Sequence, residues 1–229
     1  MASDDEPRGP DYDFADEEQL LEALDGALDA LRSASIPFLV MGGIASAVVG
    51  RPRWTRDVDL FVRPEDAERT LRALEAGAFA TEVQDRHWLG KARLGEITVD
   101  VIWRSTPDIL LDDEMLERGV SMEFKGRTIP LVPPEDLVVM KTMATSEDTP
   151  RYWYDALSIL ARVDLDWSYL VRRARASGVR RVLAVLLFAQ SLDLAVPSDA
   201  IRSLFELVDA TVLEEPTVGT ARDREVRAS

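Results

Sequence analysis

The chain has 229 residues, 46% of them hydrophobic and none of them cysteine, so it can form one large domain or two small ones without disulfides or thiolate metal sites. Its net charge is −15, and residues 1–19 alone hold eight acids and one base. Because the remaining chain is also acidic, we expect no extended binding to DNA, which requires a basic surface.

The first half of the chain predicts alternating helices and strands. Residues 1–15 are polar and highly charged, which predicts a disordered acidic tail, unlike a signal or transit peptide. Leucines at helical spacing in EEQLLEALDGALDALRSAS predict the first helix. Next, IPFLVMGG predicts a buried strand that ends in a glycine turn, IASAVVG a short helix and DVDLFVRP a second strand. PEDAERTLRALEAGAF then predicts a helix with proline in its first turn.

The middle of the chain predicts strands, and the last third predicts helices. ATEVQ, HWLGKARL and EITVDVIWR are typical of consecutive strands, PDILLDDEMLERG of a helix, and SMEFKG with RTIPLVP of a hairpin. From Pro133 the pattern is helical, and residues 214–229 predict a flexible tail. No apolar run reaches the roughly 18 residues that span a bilayer, so we expect a cytoplasmic protein without a membrane partner.

These elements together predict an α/β (α+β) fold. We expect a small mixed β-sheet core with helices on one face over residues 16–132. A C-terminal helical unit over residues 133–213 is expected to follow and to close a cleft.

Two carboxylates lie on one face of the strand DVDLFV. Because side chains alternate along a strand, Asp57 and Asp59 project the same way, and they repel each other unless a positive charge lies between them. Mg²⁺ is typically held by one or two carboxylates together with substrate phosphates. Asp100 interrupts the apolar alternation of EITVDVIW and completes a three-carboxylate site if the two strands are neighbours. The alternative is that Asp57 only caps or flanks the start of the strand and that Asp59 is an exposed edge residue.

A glycine pair precedes these acids. Gly42 and Gly43 lie between a strand and a helix, where bare backbone N–H groups and the helix dipole favour a phosphate, although a tight turn alone would also explain them. The whole stretch GGIASAVVGRPRWTRDVDLFV closely resembles the signature of the DNA polymerase β-like nucleotidyltransferase superfamily. It is especially similar to the small bacterial branch that includes minimal nucleotidyltransferases and AbiEii-type toxins.

The resemblance implies transfer of an NMP from an NTP to an acceptor hydroxyl, with two Mg²⁺ (or Mn²⁺) ions and release of pyrophosphate. It implies that Asp57, Asp59 and Asp100 hold the metal ions, that Asp100 is the candidate base, and that Gly42 and Gly43 bind the triphosphate. Beside such a ligand, Arg56 offers a two-point guanidinium contact and Thr55 a hydroxyl, although loop charges need no such explanation.

Two helical residues extend the resemblance. In PPEDLVVMKTMAT, Lys141 is implied to contact the nucleotide phosphates, and in RYWYDALSIL, Asp155 is implied to belong to the active site, as in AbiEii-like toxins. Without the resemblance, Lys141 would be expected only to extend its amine to the surface, and Asp155 only to pair with Arg151 one turn away.

The acceptor stays open at this point. A tRNA end, a protein hydroxyl and a small molecule such as an aminoglycoside all fit the implied core. An RNA or protein acceptor would suit a toxin with a cognate antitoxin protein, and a small acceptor would suit a resistance enzyme. The alternative from another class is a non-catalytic nucleotide-binding or interaction module, which the intact set of three aspartates disfavours.

Overall fold

The computed structural model describes residues 14–214, so the two predicted tails lie almost entirely outside the described residues. Within that range the strands are β1 (Phe38–Val40), β2 (Asp57–Val62), β3 (Ala80–Asp85), β4 (Leu89–Leu94), β5 (Ile97–Ile102), β6 (Val120–Phe124) and β7 (Arg127–Leu131). The helices are α1 (Phe14–Ser33), α2 (Gly42–Val49), α3 (Ala67–Ala76), α4 (Asp113–Arg118), α5 (Pro134–Ala144), α6 (Arg151–Leu160), α7 (Trp167–Ser177), α8 (Val179–Ser191) and α9 (Ser198–Glu214), with a 3₁₀ turn at Pro64–Asp66.

The strands form one mixed sheet in the order β3-β4-β5-β2-β1-β7-β6. Strand β1 runs antiparallel to β2 and parallel to β7, and β2 runs parallel to β5. The predicted α/β fold with a mixed sheet is therefore confirmed. The division into a core and a separate helical unit stays a prediction.

One face of the sheet packs on α1 and α3. Leu71 of α3 lies so close to Gly90 of β4 that a Cβ there would come 3.0 Å from Leu71 Cδ2. Gly90 is in register with Val101 of β5 and Leu60 of β2, and both of these side chains are completely buried. Because alternate residues of a strand face opposite ways, the residues that precede Leu60 and Val101 project from the other face of the sheet.

The segment before α4 is not helical as predicted. Ile109 and Leu111 are buried, whereas Leu110 between them is 37% exposed, which is the alternation of an extended chain. The helix begins only after Asp112, whose carboxylate accepts a hydrogen bond from the Met115 backbone N–H and caps the first turn. The apolar spacing in PDILL was therefore misread as helical.

Helix α5 connects the sheet to the C-terminal helices. Its carboxylate Asp136, nearly fully buried, accepts hydrogen bonds from Tyr169 Oη and Arg173 Nε of α7. The Asp136–Arg173 ion pair thus fixes α7 against α5. None of the helices in the described part of the chain is long and apolar enough to cross a membrane.

Candidate functional site

The three predicted carboxylates are brought together on the face of the sheet that α1 and α3 leave uncovered. Asp59 of β2 is in register with Asp100 of β5, and Asp57 lies two residues before Asp59 on the same side of β2. Neighbouring strands lie about 4.8 Å apart, so the two register partners start from adjacent backbone positions. The condition stated from the sequence, that β2 and β5 be neighbours, is met.

The glycine pair allows the start of α2 to approach these acids. Gly42 has φ +63°, and a Cβ at this position would lie 2.0 Å from Asp59 Oδ2. Gly43 donates its backbone N–H to the same oxygen over 3.2 Å, and a Cβ on it would lie 2.5 Å from Thr55 Oγ1. A Cβ at either position would have to displace the side chain of Asp59 or Thr55, so space favours glycine at both positions, and at Gly42 the backbone conformation favours it as well. The helix includes both glycines, although the sequence predicted that it starts after them.

Asp59 is held in an environment that opposes its ionisation. The pKa of its carboxyl is raised to about 6, mainly by burial and to a smaller extent by the negative charges of Asp100 and Asp57. The Gly43 N–H and the charge of Lys141 act in the opposite direction. The charge of Lys141 therefore acts on Asp59 from α5, and the contact of Lys141 with nucleotide phosphates stays a prediction.

Lys141 belongs to a buried ionic cluster at the junction of α5, α6 and the arginine-rich loop between α2 and β2, residues 50–56. Its Nζ lies 3.0 Å from Asp155 Oδ2, and its side chain is only 7% exposed. Arg53 grips the same carboxylate at two points, with Nε–Oδ1 at 3.1 Å and Nη2–Oδ2 at 3.0 Å. The Lys141 amine also lies over the Tyr152 ring, 4.4 Å from its centroid. Burial lowers the pKa of Lys141, while Asp155 opposes this effect.

Asp100 has a partner that the sequence did not reveal. Lys91 of β4 is in register with Asp100, and its Nζ donates to Asp100 Oδ1 over 2.7 Å. The Asp59 carboxylate accepts a hydrogen bond from the Gly43 N–H, and the Asp100 carboxylate accepts one from Lys91. The two carboxylates therefore have different hydrogen-bond partners. Accordingly, no group of three His, Cys, Asp or Glu side chains among the described residues is arranged to hold a metal ion.

The chemistry of the carboxylate set nevertheless fits a hard divalent cation. Its donors are all carboxylate oxygens, which Mg²⁺ and Mn²⁺ prefer, and they lie on adjacent strand positions. After burial, which is the largest cause, repulsion by Asp100 and Asp57 contributes to the raised pKa of Asp59, and a bound cation would relieve this repulsion. Lys91 already supplies one positive charge at Asp100, where a cation would bind.

The remaining predicted residues lie around the same site. Thr55 Oγ1 lies 3.4 Å from the Asp57 backbone N, in addition to its close approach to Gly43. Arg56 stacks its guanidinium on Trp54, 4.9 Å from the ring centroid. From the sequence, a ligand contact was expected for Arg56 and none for Arg53, which lies in the same basic loop of residues 50–56. The concentration of arginines in that loop was the only feature of the sequence that pointed to Arg53. For Lys91, the only such feature was the alternation of apolar and polar residues in HWLGKARL.

Comparison with known families gives a match over most of the chain. The model of a family described as uncharacterised nucleotidyltransferase matches residues 14–192, which is more than half of the sequence. No curated protein matches the chain. The match supports the superfamily expected from the sequence, whereas the AbiEii-type branch stays a prediction.

Several solved structures resemble the fold at low sequence identity. The lincosamide antibiotic adenylyltransferase LnuA, bound to lincomycin, is 16% identical over 60% of this chain and 96% of its own, with a TM-score of 0.45. The antibiotic-resistance factor ANT(2'')-Ia is 16% identical over 87% of this chain and 100% of its own, with a TM-score of 0.49. An antigenic nucleotidyltransferase-like protein from Paracoccidioides brasiliensis is 17% identical over 81% and 93%, with a TM-score of 0.48. The family match, and not these similarities, decides the class of the chain.

Proposed function

The chain belongs to this family of uncharacterised nucleotidyltransferases, and on that premise we propose that it transfers an NMP from an NTP to an acceptor hydroxyl with the help of divalent cations. The observation that carries the proposal is the register of Asp59 with Asp100 beside the Gly42–Gly43 turn. A folded protein gains no stability from a carboxylate whose pKa is raised by burial and like charge. Such an arrangement is typical of a functional site.

In the proposed site, Asp57, Asp59 and Asp100 hold Mg²⁺ or Mn²⁺. When bound, the cation neutralises charge on the transferred phosphate and makes the attacking hydroxyl easier to ionise. The acceptor oxygen forms a bond to the α-phosphorus of the NTP, the bond from this phosphorus to the bridging oxygen breaks, and pyrophosphate leaves. Asp100 accepts the proton of the attacking hydroxyl.

In this proposal the phosphates of the nucleotide bind at the start of α2. The first turn of α2 contains no acidic residue, and its backbone N–H groups favour an anion. Lys141 and Arg53 add two positive charges, and Asp155 lies between them as a positioning residue that fixes both side chains. Thr55 lies against Gly43 of this turn, and Thr55 and the neighbouring Arg56 are proposed to contact the nucleotide.

The acceptor defines the biological role within this proposal. Transfer to tRNA or to a protein hydroxyl is the toxin variant of the proposal, in which a cognate antitoxin partner restrains the enzyme. Transfer to a small hydroxylated molecule is the resistance variant. The chemistry proposed for the site residues is the same in each case, so the acceptor has to be identified by direct labelling.

The test is incubation of the full-length protein with each α-³²P-labelled NTP, Mg²⁺ and a bacterial lysate. RNA, protein and small molecules are then separated and counted. We expect label in one fraction, and its loss in the Asp57→Asn/Asp59→Asn variant, because that variant lacks two of the three proposed metal ligands.

Glu123→Gln is the matched control, since Glu123 is an exposed acid of β6 at the far edge of the sheet. This variant should label as strongly as the wild type. Full labelling by the Asp57→Asn/Asp59→Asn variant would contradict the proposed metal ligands. Absence of label from the wild type, together with no change in its melting temperature on addition of any NTP, would instead support the alternative of a non-catalytic interaction module.

A further inference from the structure

Lys91 forms a shielded ion pair at the centre of the carboxylate face. Its Nζ lies 2.7 Å from Asp100 Oδ1, and the two side chains are only 23% and 20% exposed. Because a partly buried pair is screened less by solvent and salt than a surface pair, this interaction is stronger than a typical surface ion pair. A cation that binds Asp100 therefore has to compete with the Lys91 ammonium.

Lys91 also has a second carboxylate within its reach along the sheet. Glu82 of β3 is in register with Lys91 on the side away from Asp100. Glu82 pairs with Arg93 over 3.2 Å, and both of these side chains are more than half exposed, so that pair is weak. The flexible stem of a lysine allows its ammonium to turn from Asp100 to Glu82 and to keep an acidic partner.

We propose that Lys91 is an exchangeable counter-ion of Asp100, which neutralises this carboxylate in the metal-free protein and yields it to a divalent cation. The inference rests on the proposed function, because it requires that Asp57, Asp59 and Asp100 hold the cation. It follows that the ion pair lowers the affinity of the site for a free cation. The cation then binds best together with a nucleotide, whose phosphates supply additional ligands.

The experiment measures Mn²⁺ binding to the full-length protein, first freed of metal with EDTA, by the EPR signal of unbound Mn²⁺. Lys91→Met and Lys91→Gln remove the competing charge and should bind Mn²⁺ about tenfold more tightly than the wild type. Arg93→Met is the matched control, since it removes one positive charge from the same face of β4 but leaves the Lys91–Asp100 pair in place. It should bind Mn²⁺ within about threefold of the wild type, as expected for an exposed charge.

The Asp57→Asn/Asp59→Asn variant separates failure of this inference from failure of the proposed function. If it abolishes Mn²⁺ binding while the Lys91 variants bind like the wild type, the role of Lys91 is refuted and the metal site stands. If Arg93→Met tightens binding as much as Lys91→Met does, the direct pair is not responsible, and the inference is again refuted. Absence of Mn²⁺ binding in both Lys91 variants without nucleotide would refute the inference, and its absence in the wild type in the presence of NTP as well would refute the metal-dependent function.

Discussion

Asp59→Asn should stabilise the metal-free protein although it removes a proposed metal ligand. The pKa of this carboxyl rises from its ordinary value of 3.8 to about 6, mainly through burial and then through the charges of Asp100 and Asp57. At about 1.4 kcal/mol for each tenfold change in proton affinity, the ionised carboxylate costs the folded state about 3 kcal/mol. Asparagine is nearly the same size and carries no charge, so it removes this cost.

The effect depends on pH with a definite sign. Since the pKa of Asp59 is raised by folding, its contribution to stability is fully present below pH 3.8 and is lost as the pH rises through about 6. The gain from Asp59→Asn should therefore approach about 3 kcal/mol near pH 8 and fall to about half of that near pH 5. Both conditions lie above the sequence pI of about 4.5.

Urea unfolding of wild type and variant in EDTA at these two pH values measures the difference in free energy of unfolding. Asp136→Asn is the control, because burial raises the pKa of Asp136 to about 6 as well. Its carboxylate, however, pairs with Arg173 and accepts from Tyr169, so its removal should destabilise the protein by about 3 kcal/mol. Loss of stability in Asp59→Asn near pH 8, or an equal gain at both pH values, would refute the reasoning.

Two further predictions concern the glycine turn and the ionic cluster of Lys141, Asp155 and Arg53, which is proposed to bind the nucleotide phosphates. Gly42→Ala should lose nucleotidyl transfer and at least about 3 kcal/mol of stability, since its Cβ meets Asp59. Gly95 also has a positive φ, +58°, but a Cβ there meets open space, so the control Gly95→Ala should lose only about 1 kcal/mol. Equal losses of the two variants in urea unfolding would contradict the close approach of Gly42 to Asp59. Arg53→Lys keeps the positive charge but loses the two hydrogen bonds to the Asp155 carboxylate. The KM for NTP should therefore rise about tenfold with kcat nearly unchanged, as measured by steady-state labelling. An unchanged KM would show that Arg53 does not belong to the nucleotide site.

The carboxylate face could be predicted from local pattern because a strand has a period of two. Alternation alone places Asp57 and Asp59 on one side of β2 and marks Asp100 as a polar interruption of β5. That Asp59 and Asp100 share a register could not be predicted, since register is a property of two strands that are far apart in sequence.

Lys91 and Arg53 could not be identified for the same reason. Lys91 belongs to a strand whose polar residues are typical of a solvent-exposed face, and only the pairing of β4 with β5 places it at Asp100. Arg53 lies in a loop without periodicity, and its partner Asp155 is 102 residues away in the sequence. The sequence shows several arginines in this loop, and only the packing of α6 beside α2 determines that Arg53 is the one that pairs with Asp155.

Asp59 and Asp136 show how an acid proposed to bind a ligand differs from a structural one when burial raises the pKa of both to about 6. Burial is the largest cause of the raised pKa in both, so the pKa alone does not separate them. Asp136 has a fixed cation and a hydroxyl donor, and the fold therefore uses its charge to join α5 and α7. Asp59 faces Asp100 and Asp57 instead, and its hydrogen bond comes from a glycine N–H. An ionised carboxylate in that environment lowers the free energy of unfolding as long as no cation is bound. Ligand binding, and not stability, therefore accounts best for its place in β2.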